Sequence, residues 1–234
     1  MQSDSKLAYL KRAMEFIIDT LQDHDRLSVV EFNTSASTLH GLACMTAANK
    51  VLAKRFISEL SAGGGTDISS GMQEGWRVLT TRGHVQDSCM FLLTDGQDRS
   101  NRDAKLALAR EILNGGTALM VYGFGQDHDS DLMGCIANAA EGAFTYIDTP
   151  DTVIDAFGGA IGSQQGASLR NVNIVTSANA GVSINTSSSG IYTSTVSADQ
   201  RHVTTRFSQL YPGERRTILL DLTLASTDSV EGTP

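Results

Sequence analysis

The sequence predicts an α/β fold of the doubly wound, Rossmann-like type, with a mainly parallel sheet, followed by a small all-β unit. Amphipathic helices alternate with short apolar strands as far as about residue 161, which is typical of a parallel sheet covered by helices. Two apolar runs, Cys89–Leu93 and Thr117–Phe124, indicate strands buried on both faces. From Gly162 onward Ser, Thr, Val and Asn dominate. We therefore expect one domain at residues 1–162 and a β-rich region at residues 163–234.

Helices are predicted where apolar residues recur at helical spacing. The clearest stripe consists of Leu7, Leu10, Met14, Ile17, Ile18 and Leu21. The predicted helices are Lys6–Leu21, Asn49–Leu60, Ile68–Leu79, Ala104–Leu113, Asp129–Ala140 and Pro150–Ile161. The Thr66–Asp67 pair is a start signal for the third helix, and Asn114-Gly115-Gly116 is a stop signal for the fourth.

Strands are predicted at the apolar and alternating segments between these helices. In the first domain they are Leu27–Phe32, Ala36–Leu42, Cys89–Leu93, Thr117–Phe124 and Gly142–Ile147. In the β-rich region they are Leu169–Val175, Gly190–Thr195 and Arg216–Leu224. The partner strands of this all-β unit are expected to continue past Pro234.

Composition and charge exclude several function classes. The net charge of −8 argues against a phosphate-binding surface, so nucleic acid is not expected as a partner. Three scattered cysteines favour neither a zinc site nor a disulfide framework, and they predict a reduced, cytoplasmic location. No apolar run is long enough to span a membrane, and the polar residues 1–6 lack the core of a signal peptide.

Two loops carry residue types that suit a divalent cation. Asp95 follows the strand Cys89–Leu93, and Thr66 follows a glycine run just before a helix. Ligands of doubly wound folds bind at the carboxyl ends of strands, and a carboxylate with a hydroxyl offers the oxygen donors that Mg²⁺ prefers. The alternative is that residues 63–67 form only a loop with a helix cap, and that Asp95-Gly96 is only a turn.

Five short segments resemble the von Willebrand factor A domain in order and spacing, over roughly the first 160 residues. They are Lys6-Leu7-Ala8, Arg26–Phe32, Gly64-Gly65-Thr66-Asp67, Leu92-Leu93-Thr94-Asp95-Gly96 and Tyr122-Gly123-Phe124-Gly125. The resemblance implies a protein-binding module with a metal-ion-dependent adhesion site (MIDAS). In that family Mg²⁺ is held by an Asp-x-Ser-x-Ser motif, a threonine and an aspartate, and it keeps a position open for a partner's carboxylate. Thr66 and Asp95 match the threonine and the aspartate.

The start of the chain departs from the family pattern. Ser3, Asp4 and Ser5 do not have the spacing of the Asp-x-Ser-x-Ser motif, so the motif and the first, central strand would lie upstream of residue 1. Without that strand, neighbouring strands would keep unpaired backbone groups, which are costly when buried. We therefore expect this chain to fold poorly alone and to bind Mg²⁺ weakly or not at all.

A narrower resemblance links Leu7–Met14, Asp25–Val30 and Gly123–Asp129 to plant and protist proteins that join this module to a RING finger. Those proteins act as ubiquitin ligases and carry a β-rich region with a segment similar to Leu210–Arg216. Three scattered cysteines cannot build a RING finger, so the resemblance does not assign ligase activity to these residues. The hypotheses are a Mg²⁺-dependent interaction module, the substrate-binding part of a RING-type ligase, and a secreted or surface adhesion protein.

An enzyme is not predicted. Neither a Gly-x-x-x-x-Gly-Lys-Ser/Thr phosphate loop nor a strand-linked Gly-x-Gly-x-x-Gly occurs, and no nucleophile elbow is present. His128, at a strand end, is either a further metal contact or a solvated loop residue between Asp127 and Asp129, and those two aspartates are expected to cap the next helix.

Overall fold

The computed structural model describes residues 2–81, 88–125, 128–147, 152, 155–159, 161–162, 169–210, 213 and 215–225. The chain divides into two compact units, Met1–Gln165 and Gly166–Pro234.

The first unit contains five helices and five strands with defined bounds. The helices are α1 (Gln2–Thr20), α2 (Ala47–Glu59), α3 (Ile68–Thr80), α4 (Arg102–Asn114) and α5 (Ser130–Ala139). The strands are β1 (Arg26–Phe32), β2 (Ala36–Cys44), β3 (Ser88–Thr94), β4 (Thr117–Phe124) and β5 (Phe144–Ile147). Of the predicted helix Pro150–Ile161, the residues described, 152, 155–159 and 161, are helical, and the remainder lie outside the described part.

A parallel sheet in the order β3-β4-β5 forms the centre of this unit. Leu119 and Val121 of β4 belong to a core shared with α3, α4 and α5. Tyr122 and Phe124 of the same strand belong to a second core that includes Phe157. Because successive side chains of a strand point to opposite faces, β4 is buried on both, which explains its uninterrupted apolar sequence.

An antiparallel hairpin of β1 and β2 forms a separate sheet, yet it shares helices with the parallel sheet. On α3, a β-carbon added to Gly71 would lie 2.7 Å from the Phe32 ring of β1, and one added to Gly75 would lie 3.0 Å from Met90 Cε of β3. These glycines are four residues apart, so one face of α3 covers both strands.

Helix α1 connects the same two sheets in a similar way. Ile18 packs in a cluster with Leu27 of β1, whereas Ile17 packs in the cluster of Tyr122 on β4. Within the described part of the chain, β1 pairs with β2 alone and β3 with β4 alone. The predicted α/β fold class, with a parallel sheet covered by helices, is confirmed.

The second unit consists of antiparallel strands β6 (Leu169–Ser177), β7 (Val182–Ser188), β8 (Ser194–Val196), β9 (His202–Leu210) and β10 (Leu219–Leu224). They form two sheets, in the orders β10-β7 and β6-β9-β8. Among its described residues, the buried apolar ones are Ile184, Val203 and Phe207.

The predicted strand Gly190–Thr195 is wrong in its first half. Gly190 adopts a φ of +70°, and the Ser189 hydroxyl donates to the Tyr192 carbonyl at 2.8 Å, so these residues form a turn before β8. Strands β7 and β9 were not predicted from the sequence. Their many serine, threonine and asparagine residues obscure the alternation, although Val203, Thr205 and Phe207 of β9 are buried at a spacing of two.

Candidate functional site

The first part of the candidate site is the segment that leads into α3. The Asp67 carboxylate caps this helix by accepting from Ser70 N at 3.0 Å, and Asp67 N donates to the Asn33 carbonyl at 2.6 Å. Gly64, with a φ of +84°, lies against the Asn33 side chain. Thr66 is therefore held between the start of α3 and the turn that follows β1, and the predicted cap is confirmed.

The second part is the turn after β3. Thr94 ends the strand, and its hydroxyl accepts from Gly96 N at 3.3 Å. Asp95 is exposed, whereas Thr66 is half-buried. A β-carbon added to Gly96 would lie 2.2 Å from Thr66 Oγ1, so the Thr66 hydroxyl packs directly on the glycine that follows Asp95. The fold thus brings the two residues singled out by sequence to the same edge of the sheet.

Glycine is required at position 96 because only a hydrogen fits between its α-carbon and the Thr66 hydroxyl. The geometry is the close backbone approach that glycine permits. The loop before α3 and the loop after β3 are therefore in direct contact.

Thr66 and Asp95 provide the type of donor atom that a hard cation prefers. A threonine hydroxyl and an aspartate carboxylate are oxygen ligands, and Mg²⁺ is commonly held by one or two carboxylates together with waters. Among the described residues, no group of three or more His, Cys, Asp or Glu side chains could hold a metal. Thr66 and Asp95 alone are therefore too few for a dedicated protein cage, and a complete site needs further oxygen donors.

A buried ion pair, which was not predicted from the sequence, lies beside these loops. Lys105 Nζ is 3.1 Å from Asp98 Oδ2, and the two side chains are 0% and 3% exposed. Burial alone would raise the pKa of Asp98, but hydrogen bonds from Ser100, Ile68 N and Lys105 outweigh it and hold that pKa below its ordinary value. The sequence does contain a pattern that predicts burial of Lys105, because Lys105, Ala109 and Ile112 lie at the helical spacing of a buried stripe.

His128 is half-buried and packs on aromatic rings. Its ring stacks on Tyr146 with centroids 5.4 Å apart and lies 5.5 Å from Phe144. His128 Nδ1 is 2.6 Å from the Gly125 carbonyl oxygen. The prediction of a solvated loop residue is therefore wrong, whereas the predicted cap by Asp129 is confirmed by its bond from Leu132 N. Asp127 lies outside the described residues.

The family model of the von Willebrand factor type A domain matches residues 2–157, about two thirds of the chain. This chain belongs to the von Willebrand factor type A (VWA) family. A VWA domain is a protein-interaction module, which agrees with a site built from loops at one edge of a sheet. None of the described helices combines the length and the apolarity needed to cross a membrane.

Among curated proteins, sll0103 of Synechocystis is 30% identical over 152 residues, which cover 64% of this chain and 36% of that protein. The probable E3 ubiquitin-protein ligase WAVH2 of Arabidopsis thaliana is 31% identical over 110 residues, 44% of this chain and 15% of that protein. The matched residues thus span 36% of the length of the first relative and 15% of the second.

Solved structures show the same fold. A von Willebrand factor type A protein from Catenulispora acidiphila superposes with a TM-score of 0.79 at 20% identity, covering 94% of this chain and 54% of that one. Proximal thread matrix protein 1 of the mussel byssus, in a form with a zinc-occupied MIDAS motif, gives 0.55 at 22% identity over 66% of this chain and 39% of that one.

Proposed function

We propose that this VWA domain binds a protein partner through a divalent cation, most simply Mg²⁺, and that Thr66 and Asp95 supply two of the ligands. The observation that carries the proposal is the contact of the Thr66 hydroxyl with Gly96. It joins the two loops through side-chain packing, as a preorganised site requires.

The charge of the chain supports a cation as the intermediary. With a net charge of −8, the surface repels an acidic partner at long range. A bound divalent cation reverses the charge locally and offers a coordination position to a partner's carboxylate, so an acidic side chain can bind where it would otherwise be disfavoured. Thr66 and Asp95 hold the cation on the domain side of that contact.

The affinity for Mg²⁺ depends on how many protein oxygens complete the site. In the family the remaining donors belong to the Asp-x-Ser-x-Ser motif, which Ser3, Asp4 and Ser5 do not reproduce. We expect the residues of this chain to bind Mg²⁺ weakly.

A Mg²⁺ titration followed by backbone amide NMR tests the proposal. The amides of Thr66 and Gly96 should shift together with one saturation curve in the parent chain, and the shifts should disappear in Asp95→Asn. The matched control is Asp131→Asn, which removes a carboxylate that pairs with Arg102 on the surface and should leave the curve unchanged. Shifts that persist in Asp95→Asn would overturn the assignment.

The partner side is tested with a glutamate-containing peptide and its glutamine counterpart. Only the glutamate peptide should shift the amides around Asp95, and only with Mg²⁺ present; EDTA should reverse the effect. Equal binding of both peptides, or binding in EDTA, would contradict a carboxylate–cation contact.

A second candidate is the substrate-binding part of a RING-type ubiquitin ligase. It is favoured by the similarity to WAVH2 and to WAVH1 of Arabidopsis thaliana, the latter 28% identical over 121 residues. In this proposal ubiquitin transfer resides outside these residues. The coding sequence adjoining Met1 separates the candidates: a RING cysteine–histidine pattern supports the ligase, and a signal peptide supports a secreted adhesion protein.

The cytoplasm is the proposed location, supported by Cys44, Cys89 and Cys135, which are all described and form no disulfide. Cell fractionation tests it; recovery in the secreted fraction would overturn it.

A further inference from the structure

The buried pair of Asp98 and Lys105 has no role in the site as described so far, and its cost is high. Removing two charges from water carries a desolvation penalty, and an apolar pair of similar volume is often at least as stable. A fully buried ion pair is therefore poorly explained by stability alone. Its hydrogen-bond geometry offers a better explanation.

Each polar atom of the pair bonds to a specific neighbour. Asp98 Oδ2 accepts from Ile68 N at 2.8 Å, and Asp98 Oδ1 accepts from Ser100 N at 2.8 Å. Lys105 Nζ donates to Ser100 Oγ at 2.7 Å and, at 3.5 Å, to the Asn101 carbonyl. The carboxylate thus joins the start of α3 to the loop between β3 and α4, and Lys105 links the same loop to α4.

The positions of these bonds relate them to the candidate cation site. Ile68 is two residues after Thr66, and Asp98 is three residues after Asp95. The bond from Ile68 N to Asp98 is therefore a second link between the same two loops, and both of its residues are buried. The Thr66–Gly96 contact and this hydrogen bond fix the two loops against each other at two points.

We propose that Asp98, neutralised by Lys105, is a positioning residue that holds the Thr66 and Asp95 loops in place for a divalent cation before the cation binds. This inference rests on the proposed function. Both oxygens of the carboxylate accept from backbone amides, and its charge makes a strong acceptor for the Ile68 amide. Lys105 allows that charge to remain buried, because an isolated buried carboxylate would be very unfavourable.

Three double variants separate positioning from stability. In Asp98→Leu/Lys105→Met both charges become apolar, so the fold is retained but the bond from Ile68 N is lost. In Asp98→Asn/Lys105→Met no charge is buried, and the amide oxygen can replace Oδ2 as the acceptor for Ile68 N, while the acceptor for Ser100 N is lost. Asp98→Val/Lys105→Met is the second apolar variant, should leucine overfill the site. Circular dichroism and thermal melts identify the variants that are folded.

The first readout needs no metal. The nuclear Overhauser contact between the Thr66 methyl group and the Gly96 α-protons should be present in the parent and in the Asn/Met variant. It should be at least fivefold weaker in the folded apolar variants. A folded apolar variant that keeps the full contact would overturn the inference, whether or not Mg²⁺ binds.

The second readout is the Mg²⁺ titration of the Thr66 and Gly96 amides. We expect the Mg²⁺ concentration at half-saturation to rise at least tenfold in a folded apolar variant and to stay within twofold of the parent in the Asn/Met variant. Equal half-saturation in all folded variants would contradict the inference. If the parent shows no shift at these amides, the proposed function fails, and the metal-free contact still decides the role of Asp98.

Discussion

Replacement of Gly96 by alanine tests the central contact of the site most sharply. The added β-carbon would lie 2.2 Å from Thr66 Oγ1, 3.2 Å from Thr66 Cβ and 3.4 Å from Thr66 Cγ2. The first distance is about 1 Å shorter than van der Waals contact allows, so Thr66 or the loop must move. Overpacking of this size costs about 1–3 kcal/mol of unfolding free energy.

The structure also predicts which second substitution relieves the cost. Thr66→Ala removes the hydroxyl at 2.2 Å and leaves only the β-carbon at 3.2 Å, which a shift of a few tenths of an ångström accommodates. In a double-mutant cycle, Gly96→Ala should therefore be less destabilising in the Thr66→Ala background, with a coupling energy of about 0.5–3 kcal/mol.

Urea denaturation of the parent, the two single variants and the double variant measures this coupling. Gly134→Ala is the matched control, since its β-carbon would meet nothing within 4 Å inside α5; there the better helix propensity of alanine predicts a gain of about 0.5–1 kcal/mol. Additive effects of Gly96→Ala and Thr66→Ala, with no coupling, would refute the contact between the two loops.

Three further results are expected. Hydrogen bonds from Arg77 and from Thr38 lower the pKa of Glu74 from 4.5 to about 2, so the contribution of Glu74 to stability is present above pH 4.5 and is lost as the pH falls toward 2. The loss of unfolding free energy caused by Glu74→Gln, measured by urea denaturation, should therefore shrink over that range. A pH-independent loss would contradict this prediction. Lys105→Met leaves the Asp98 carboxylate buried and unpaired and should cost about 3–5 kcal/mol in the same assay, whereas a loss below about 1 kcal/mol would mean that water reaches the carboxylate. Mg²⁺ at a concentration equal to its Kd stabilises by about 0.4 kcal/mol, so the melting temperature should rise by about 1–2 °C at the concentration that half-saturates the amide shifts. No rise at that concentration would contradict binding of Mg²⁺ to the folded chain.

The sequence was sufficient for the fold because its strongest signals are local. The apolar stripe of α1 and the uninterrupted run of β4 each follow from burial, and both were predicted within a few residues. The predicted start of α1 at Lys6 differs from Gln2, an error of the size that is common at helix boundaries.

What the sequence could not show are contacts between distant segments. The bond from Ile68 N to Asp98 spans 30 residues, and no periodicity relates an amide at a helix start to a carboxylate in another loop. The packing of Thr66 on Gly96 likewise depends on how α3 lies on two strands at once. Sequence resemblance pointed to Thr66 and Asp95, but only the tertiary structure shows what holds them together.

The central claim is that Thr66 and Asp95 hold one divalent cation, and paramagnetic relaxation by Mn²⁺ measures this directly. At low Mn²⁺ concentration, the amide signals that broaden first should be those of residues 66–67 and 95–97, and Asp95→Asn should abolish the effect. Broadening centred on other acidic residues, such as Asp131 on the surface of α5, would contradict the account. So would an Asp95→Asn chain that broadens in the same way as the parent.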